Sequence, residues 1–421
     1  MTDVHDLLSE MKEEVEKCVN CGFCESVCPT LPASGFRSII GARGRVDLGK
    51  AFIADMNNGG RSDLKISESF YSCLDCFACL QVCPAGVNAG NVSEIGREIA
   101  AISGQHGLEK PVARMIVEAT MKFLNPLGVM GKCAGWSEGL VFNHDSETLL
   151  YTGNMYQLMA YSASLGKMKL RLGEKATDFL AGIIARHPAA VRLSGIAVDR
   201  EMQRQMDTFL RDIYSLLVSA GLKFNYLGEE EPYPGTFIYD LGYTDQFLEY
   251  GRRIIDIFRK HNVRTIITVD PHTYDILNVQ YRKYFSDFDF RVIHYLDYLR
   301  DVRFAGTEER VTLQEPCHFT LREVNYSGPA DLVSGLAQLT SPDRNGKRTM
   351  CCGGPDELLF GEISGKVSVE RFNQLKATGA ERIITACPIC FANLRKDGTV
   401  VDISQFLTER REAGAVPKPS S

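Results

Sequence analysis

Long apolar runs are missing from this 421-residue chain. A bilayer-spanning helix needs about 18 or more consecutive apolar residues, and the nearest stretches here are short pieces such as Phe179 to Ala185. Any attachment to a membrane is therefore expected to come through a partner. Blocks of basic residues are missing too, and the formal net charge is only -6, so nucleic acid is not expected as a partner. The first residues, Met1-Thr2-Asp3, are not followed by a basic stretch and an apolar core. Export is not indicated, and a reducing, cytoplasmic setting is expected. Nor is there a strand-G-x-G-x-x-G-helix fingerprint, so flavin or nicotinamide chemistry is expected on another subunit.

What the chain has is cysteine, fourteen of them. In a reducing compartment disulfides are the weaker reading. Five cysteines lie late in the chain: Cys317, then 33 residues, Cys351-Cys352-Gly353-Gly354, then 32 residues, Cys387-Pro388-Ile389-Cys390. Thiolates are the soft ligands that iron-sulfur clusters and zinc select, and a C-x-x-C turn lets two sulfurs converge. Neighbouring Cα atoms are about 3.8 Å apart, too close for an unstrained disulfide between Cys351 and Cys352, while ligation by both sulfurs is feasible. Five thiolates exceed the four that a zinc tetrahedron takes, although zinc or a four-thiolate cubane using four of the five stays open.

Near the start stand Cys18-x-x-Cys21-x-x-Cys24-x-x-x-Cys28-Pro29 and Cys73-x-x-Cys76-x-x-Cys79-x-x-x-Cys83-Pro84. This pair of motifs is the bacterial ferredoxin signature, in which three cysteines of one loop hold a cubane and the fourth reaches the neighbouring cluster. By that rule Cys18, Cys21, Cys24 and Cys83 hold one [4Fe-4S] cluster, and Cys73, Cys76, Cys79 and Cys28 hold another. Upstream, Val4, Leu7, Leu8, Met11 and Val15 form a helical stripe, read as packing within the domain. Between the motifs, Gly41-Ala42-Arg43-Gly44-Arg45-Val46 precedes an expected helix through Met56. Arg43 and Arg45 are read as solvated or structural, with neutralisation of cluster charge as the alternative. Cys133, alone beside small residues and Trp136, reads as a buried apolar side chain.

The late cysteine pattern resembles the "CCG" module of the heterodisulfide reductase family, found in its catalytic B and D subunits. The module is shared with iron-sulfur subunits of glycolate and lactate oxidases and of anaerobic glycerol-3-phosphate dehydrogenase. The resemblance implies a noncubane [4Fe-4S] cluster on Cys317, Cys351, Cys352, Cys387 and Cys390, which would be the catalytic centre. The longer linker between the first two motifs resembles the all-helical ferredoxin domain of the family's C subunits, and the Arg-Gly-Arg segment resembles one in glycolate oxidase iron-sulfur subunits.

From about residue 146 strands and helices alternate, as in α/β layers. Arg264 to Tyr274 parallels Arg382 to Phe391, setting Asp270 and Thr273 where Cys387 and Cys390 stand. Glu231-Pro232-Tyr233-Pro234-Gly235 falls in the place of the cysteine pair, and Leu149 to Asn154 in that of Leu313 to Cys317, with about 40 extra residues between Asn154 and Tyr233. Asn154, Tyr233, Pro234, Asp270 and Thr273 cannot form a thiolate site, so one noncubane cluster is expected rather than two. Gly353 and Gly354 would let backbone crowd a cluster or substrate. Glu315 and His318 flank Cys317 as candidates for proton movement.

The expected fold class is α+β multidomain. A helical ferredoxin domain (1–105) and a helical connector (106–145) lead into a degenerate α/β half (146–300), a complete half with its cluster (301–410) and a disordered tail (411–421). The expected function is that of a fused C-and-B type iron-sulfur subunit of a heterodisulfide reductase-like complex, acting on a disulfide or thiol. The alternative is a relay between a flavoprotein, such as a 2-hydroxyacid dehydrogenase or electron-transferring flavoprotein, and a membrane cytochrome b or quinone. Either could sit peripherally on the inner face of the membrane through that partner.

Overall fold

The computed structural model describes residues 3–57, 66–103, 110–187, 198–354 and 359–412. Its N-terminal part is helical. Asp3 caps the helix Val4–Glu16 by accepting from the His5 amide, and the stripe Leu7, Leu8, Met11 and Val15 is buried. These side chains share one core with Val46 and Phe52 of the helix Ala42–Asn57 and with Val92, Ile95 and Ile99 of the helix Ala89–Ser103. The Arg-Gly-Arg segment does not precede a helix but forms its first turns, beginning at Ala42. Gly44 is the reason. A Cβ there would lie 1.7 Å from the Ser38 carbonyl oxygen, so only glycine lets the helix pack on the turn Ser38–Ile40.

Two parallel sheets follow. The first has the order β1 (Thr148–Tyr151), β2 (Thr265–Thr268), β3 (Arg291–His294). The second has the order β5 (Gln338–Leu339), β4 (Arg310–Gln314), β6 (Arg382–Thr385), β7 (Val400–Asp402). β1, β2 and β3 correspond to β4, β6 and β7. β2 runs into Asp270, which caps the helix Pro271–Asn278, just as β6 runs into Cys387 at the head of the helix Pro388–Leu394. Gly235 and Gly353 share a left-handed turn at φ 89° and 86°. The duplication read from sequence is thus a duplication of topology.

The extra residues of the first half fold as the helices Met155–Leu172, Glu174–Arg186 and Arg200–Ser219. The last of these buries Met202, Met206, Phe209, Leu210, Ile213, Leu216 and Leu217. At roughly 1.5–3 kcal/mol for each large apolar side chain, that stripe anchors the insertion to a second core, which also holds Ile267 of β2 and Leu313 and Ile384 of β4 and β6. Arg411, expected at the head of a disordered tail, pairs with Phe304 across a β-bridge and donates to the Ser215 carbonyl at 3.2 Å. Residues 413–421 of that tail lie outside the described residues. Among the described residues no helix is long and apolar enough to cross a membrane.

Candidate functional site

Cys28, Cys73, Cys76 and Cys79 line one cavity together with Pro29, Thr30 and Arg45. Cys18, Cys21, Cys24 and Cys83 line another, with Val19, Gly22 and Arg43. In each, three sulfurs come from one loop and the fourth follows the other loop. Four soft donors around a largely apolar hollow are a donor set that fits an iron-sulfur cluster. Burial pushes the Cys24 and Cys73 thiols up to about 12, a cost that a bound cationic centre reverses. Among the described residues no three His, Cys, Asp or Glu side chains gather around one point as ligands of a single metal ion would.

The two arginines of the linker part ways. Arg45 is buried, donating to the Ser69 carbonyl at 2.9 Å and to Thr30 Oγ1 at 3.2 Å, with Nη1 3.8 Å from Cys28 Sγ. Arg43 is 43% exposed and faces Asp47 at 3.6 Å. One arginine is therefore a buried brace against a candidate ligand, and the other is a solvated surface group.

The five late cysteines are all buried. Cys352, Cys387 and Cys390 share one apolar cluster and Cys317 and Cys351 the adjoining one. Cys317 and Cys352 raise the Cys351 pKa, Cys352 and Cys387 raise that of Cys390, and Cys351 and Cys390 lower that of Cys352. Gly353 N donates to Cys351 Sγ at 3.4 Å, and Gln314 Nε2 lies 3.9 Å from Cys390 Sγ. A Cβ on Gly354 would lie 1.9 Å from Ile389 Cγ2 and 3.3 Å from Cys352 Sγ. Glycine is needed there so that the backbone can close over the sulfurs. This donor set too is soft, dry and large enough in number for a multi-iron group.

Neither flanking candidate turns toward the thiols in a hydrogen bond. His318 Nδ1 meets Asp275 Oδ2 at 2.9 Å, its ring stacks 3.9 Å from that of His272, and burial with the nearby Arg322 cation lowers its pKa. Glu315 Oε2 accepts from the Gly346 amide at 2.6 Å. Cys133 is buried elsewhere, its thiol donating to the Val129 carbonyl at 3.5 Å.

In the degenerate half the corresponding ground is filled by polar groups. Thr152 Oγ1 donates to Glu231 Oε2 at 2.8 Å, Asn154 Nδ2 donates to the Glu231 carbonyl at 3.0 Å, and Asp270 Oδ1 accepts from the amides of His272 and Thr273 at 2.9 and 3.0 Å. A Cβ on Gly153 would meet Thr273 Oγ1 at 2.4 Å. Hydrogen bonds hold this half together where sulfurs gather in the other.

The ferredoxin and cysteine-rich sites meet directly. Cys76 and Cys351 lie together inside an apolar cluster that also holds Val27, Leu74, Ala78, Cys317, Leu321, Met350 and Val367, and the neighbouring Cys351 lowers the Cys76 pKa. Sequence reasoning missed what clamps this contact: Asp75, Glu94, Arg97, Asp275 and Arg322, all buried. Only a charged residue inside the C-x-x-C loop and an arginine shortly after Cys317 hinted at them.

Comparison with known proteins agrees with this layout. Residues 14–87 match the 4Fe-4S dicluster domain and residues 311–395 match the cysteine-rich domain of the CCG type. The chain is 24% identical to the "Probable membrane-anchored ferredoxin" of Chromohalobacter salexigens over 90% of this chain and 56% of that protein. It is 26% identical to the "Probable glycolate oxidase iron-sulfur subunit" of Bacillus subtilis over 93% of this chain and 92% of that one. It is 20% identical to the D-type polypeptide of the dihydromethanophenazine:CoB--CoM heterodisulfide reductase of Methanosarcina barkeri over 97% and 96%. The chain thus spans a little over half the length of the first of these relatives. It carries matches to these two domains and is similar over most of its length to iron-sulfur subunits of oxidoreductases.

Proposed function

We propose that this chain is the electron-transferring, and at its last site catalytic, iron-sulfur subunit of a heterodisulfide reductase-like complex. Cys18, Cys21, Cys24 and Cys83 would hold one cubane and Cys28, Cys73, Cys76 and Cys79 the second, with a noncubane cluster on Cys317, Cys351, Cys352, Cys387 and Cys390. Bound there, the clusters would supply one-electron redox chemistry. The observation that carries the reading is that Cys76 of the second ferredoxin motif shares one apolar cluster with Cys317 and Cys351. This puts the second ferredoxin site beside the late cysteines, as a relay between them requires. A disulfide taking two electrons and two protons at the late cysteines leaves as two thiols, and the electrons come from a flavoprotein or cytochrome partner. The heterodisulfide reductase relative, similar over nearly its whole length, supports the substrate class.

A second reading is favoured by burial. None of the five late cysteines is more than 6% exposed, which suits a relay that hands electrons to a partner without a substrate of its own. A relative named EtfAB:quinone oxidoreductase, from Syntrophomonas wolfei, aligns with 83% of this chain. Anaerobic purification with iron and zinc counts tests the cofactors, with about twelve irons expected from three four-iron clusters. EPR of the oxidised protein incubated with thiols separates the readings. A thiol-induced signal lost in Cys351→Ser and Cys352→Ser but kept in Cys21→Ser supports the catalytic one. Spectra unmoved by thiols leave the relay, and zinc without iron sinks both.

A further inference from the structure

Three lobes meet at one guanidinium. Arg322, five residues after Cys317 and 6% exposed, donates through Nη1 to the carbonyl oxygen of Asp75 at 3.1 Å. Its Nε lies 2.8 Å from Asp275 Oδ2 in the degenerate half, and Nη2 lies 3.5 Å from Glu94 Oε1 on the helix Ala89–Ser103. Its plane sits over the Phe77 ring at 4.3 Å. Asp75 and Phe77 are the two neighbours of Cys76. Both have left-handed backbone, φ 45° and 58°, a conformation that Asp tolerates but that a bulky residue such as Phe77 holds only where surrounding contacts impose it. From the other side Arg97 binds the Asp75 carboxylate and the carbonyl oxygens of Cys73 and Phe70 at 2.6 and 3.0 Å. The loop that presents Cys76 to Cys351 is therefore held by one arginine from its own domain and one from the cysteine-rich domain.

We propose that Arg322 is a positioning residue that fixes Cys76 against Cys351 and thereby sets how fast electrons cross between the second ferredoxin site and the cysteine-rich site. The inference rests on the electron-transfer reading above and deepens it. One electron released by a reduced flavoprotein partner enters at the ferredoxin domain and one is accepted at the Cys317 to Cys390 site. No bond forms or breaks in the crossing. Arginine suits the role because its planar fork serves a carbonyl, two carboxylates and an aromatic face together, which a lysine ammonium cannot do.

The test uses the full chain, purified anaerobically, with Arg322→Lys and Phe77→Leu compared with the parent and with Arg37→Gln, which alters only a surface pair with Glu68. Iron content, magnetic coupling between the two sites by EPR, and freeze-quench kinetics after mixing with dithionite are recorded. Arg322→Lys is expected to keep its iron, to reduce the ferredoxin sites at the parent rate, and to weaken the coupling. Arrival at the cysteine-rich site should slow relative to the parent by a factor well outside the spread of repeat measurements. Phe77→Leu should slow it less, and Arg37→Gln not at all. In chain stripped of iron, amide exchange from Leu74 to Phe77 should quicken in Arg322→Lys. Parent-like coupling and arrival in Arg322→Lys overturn the proposal, as does loss of iron in both Arg322→Lys and Phe77→Leu, which would make the residue merely structural. If the parent chain shows no transfer to the late cysteines at all, the electron-transfer reading falls and carries this proposal with it.

Discussion

The two ferredoxin loops have the same cysteine spacing and opposite surroundings. In the first, Cys21 is exposed and lies between Asn20 and Gly22, at φ 58° and 81°. Both residue types tolerate left-handed backbone, and the flanking Val19 and Phe23 are 68% and 59% exposed. In the second, Cys76 is buried between Asp75 and Phe77, which take the same left-handed turns; Asp tolerates its turn, whereas Phe77 takes one at a cost of roughly 1–2 kcal/mol. A loop that faces solvent uses residues that hold its shape unaided. A loop that faces another domain uses a phenylalanine held under the Arg322 guanidinium, which ties its geometry to docking.

Several substitutions would break or sharpen this contrast. The largest effect is expected from Cys76→Ser, which should abolish electron arrival at the late cysteines and lower iron by about four per chain. Cys21→Ser should disturb only the first site, and EPR with iron analysis tells the two apart. Next comes Arg97→Met. It strands a buried carboxylate and several carbonyls, for which a loss of about 3–5 kcal/mol in urea unfolding is expected. Its counterpart Arg43→Met, at a pair with both side chains over 40% exposed, should cost less than about 1 kcal/mol.

The third test is pH. Burial pushes Glu94 up to about 8 against its usual 4.5, with Arg322 and Arg97 opposing the rise and Asp75 and Asp240 adding to it. Between those values the folded chain keeps a proton that the unfolded chain has lost. This contribution to stability is full below pH 4.5 and is lost as pH rises toward 8, at no more than about 1.4 kcal/mol per pH unit. Glu94→Gln should flatten that part of the unfolding profile, and an unchanged slope would mean that the group titrates normally. The smallest effect belongs to Gly22→Ala, where the nearest side-chain atom is 3.8 Å from the new Cβ. Only the left-handed φ opposes it, so a loss of about 1 kcal/mol in chemical unfolding is expected.

The two ferredoxin loops, the cysteine-rich module, the duplication and the bare first half were legible because each is written in local spacing. Ligand loops must be short to converge on one centre, and a strand that turns into a capped helix repeats its sequence with its shape, as Asp270 and Cys387 do. The buried clamp was not legible. Asp75, Glu94, Arg97, Asp275 and Arg322 come from three lobes and touch only after folding, and a lone charge in a sequence reads as surface. The early start of the helix Ala42–Asn57 was hidden for a related reason: Gly44 weakens a helix in isolation and is required here by a neighbour, the Ser38 carbonyl.

The clamp also bears on how the molecule is built. Cys76 lies buried in the cluster where the lobes meet, and so do Cys317 and Cys351. With Arg322 engaged by Asp75, Glu94 and Asp275, these thiols are shut away from solvent by the closed lobes. On the cluster assignment proposed above, insertion of iron and sulfide would have to precede that closure.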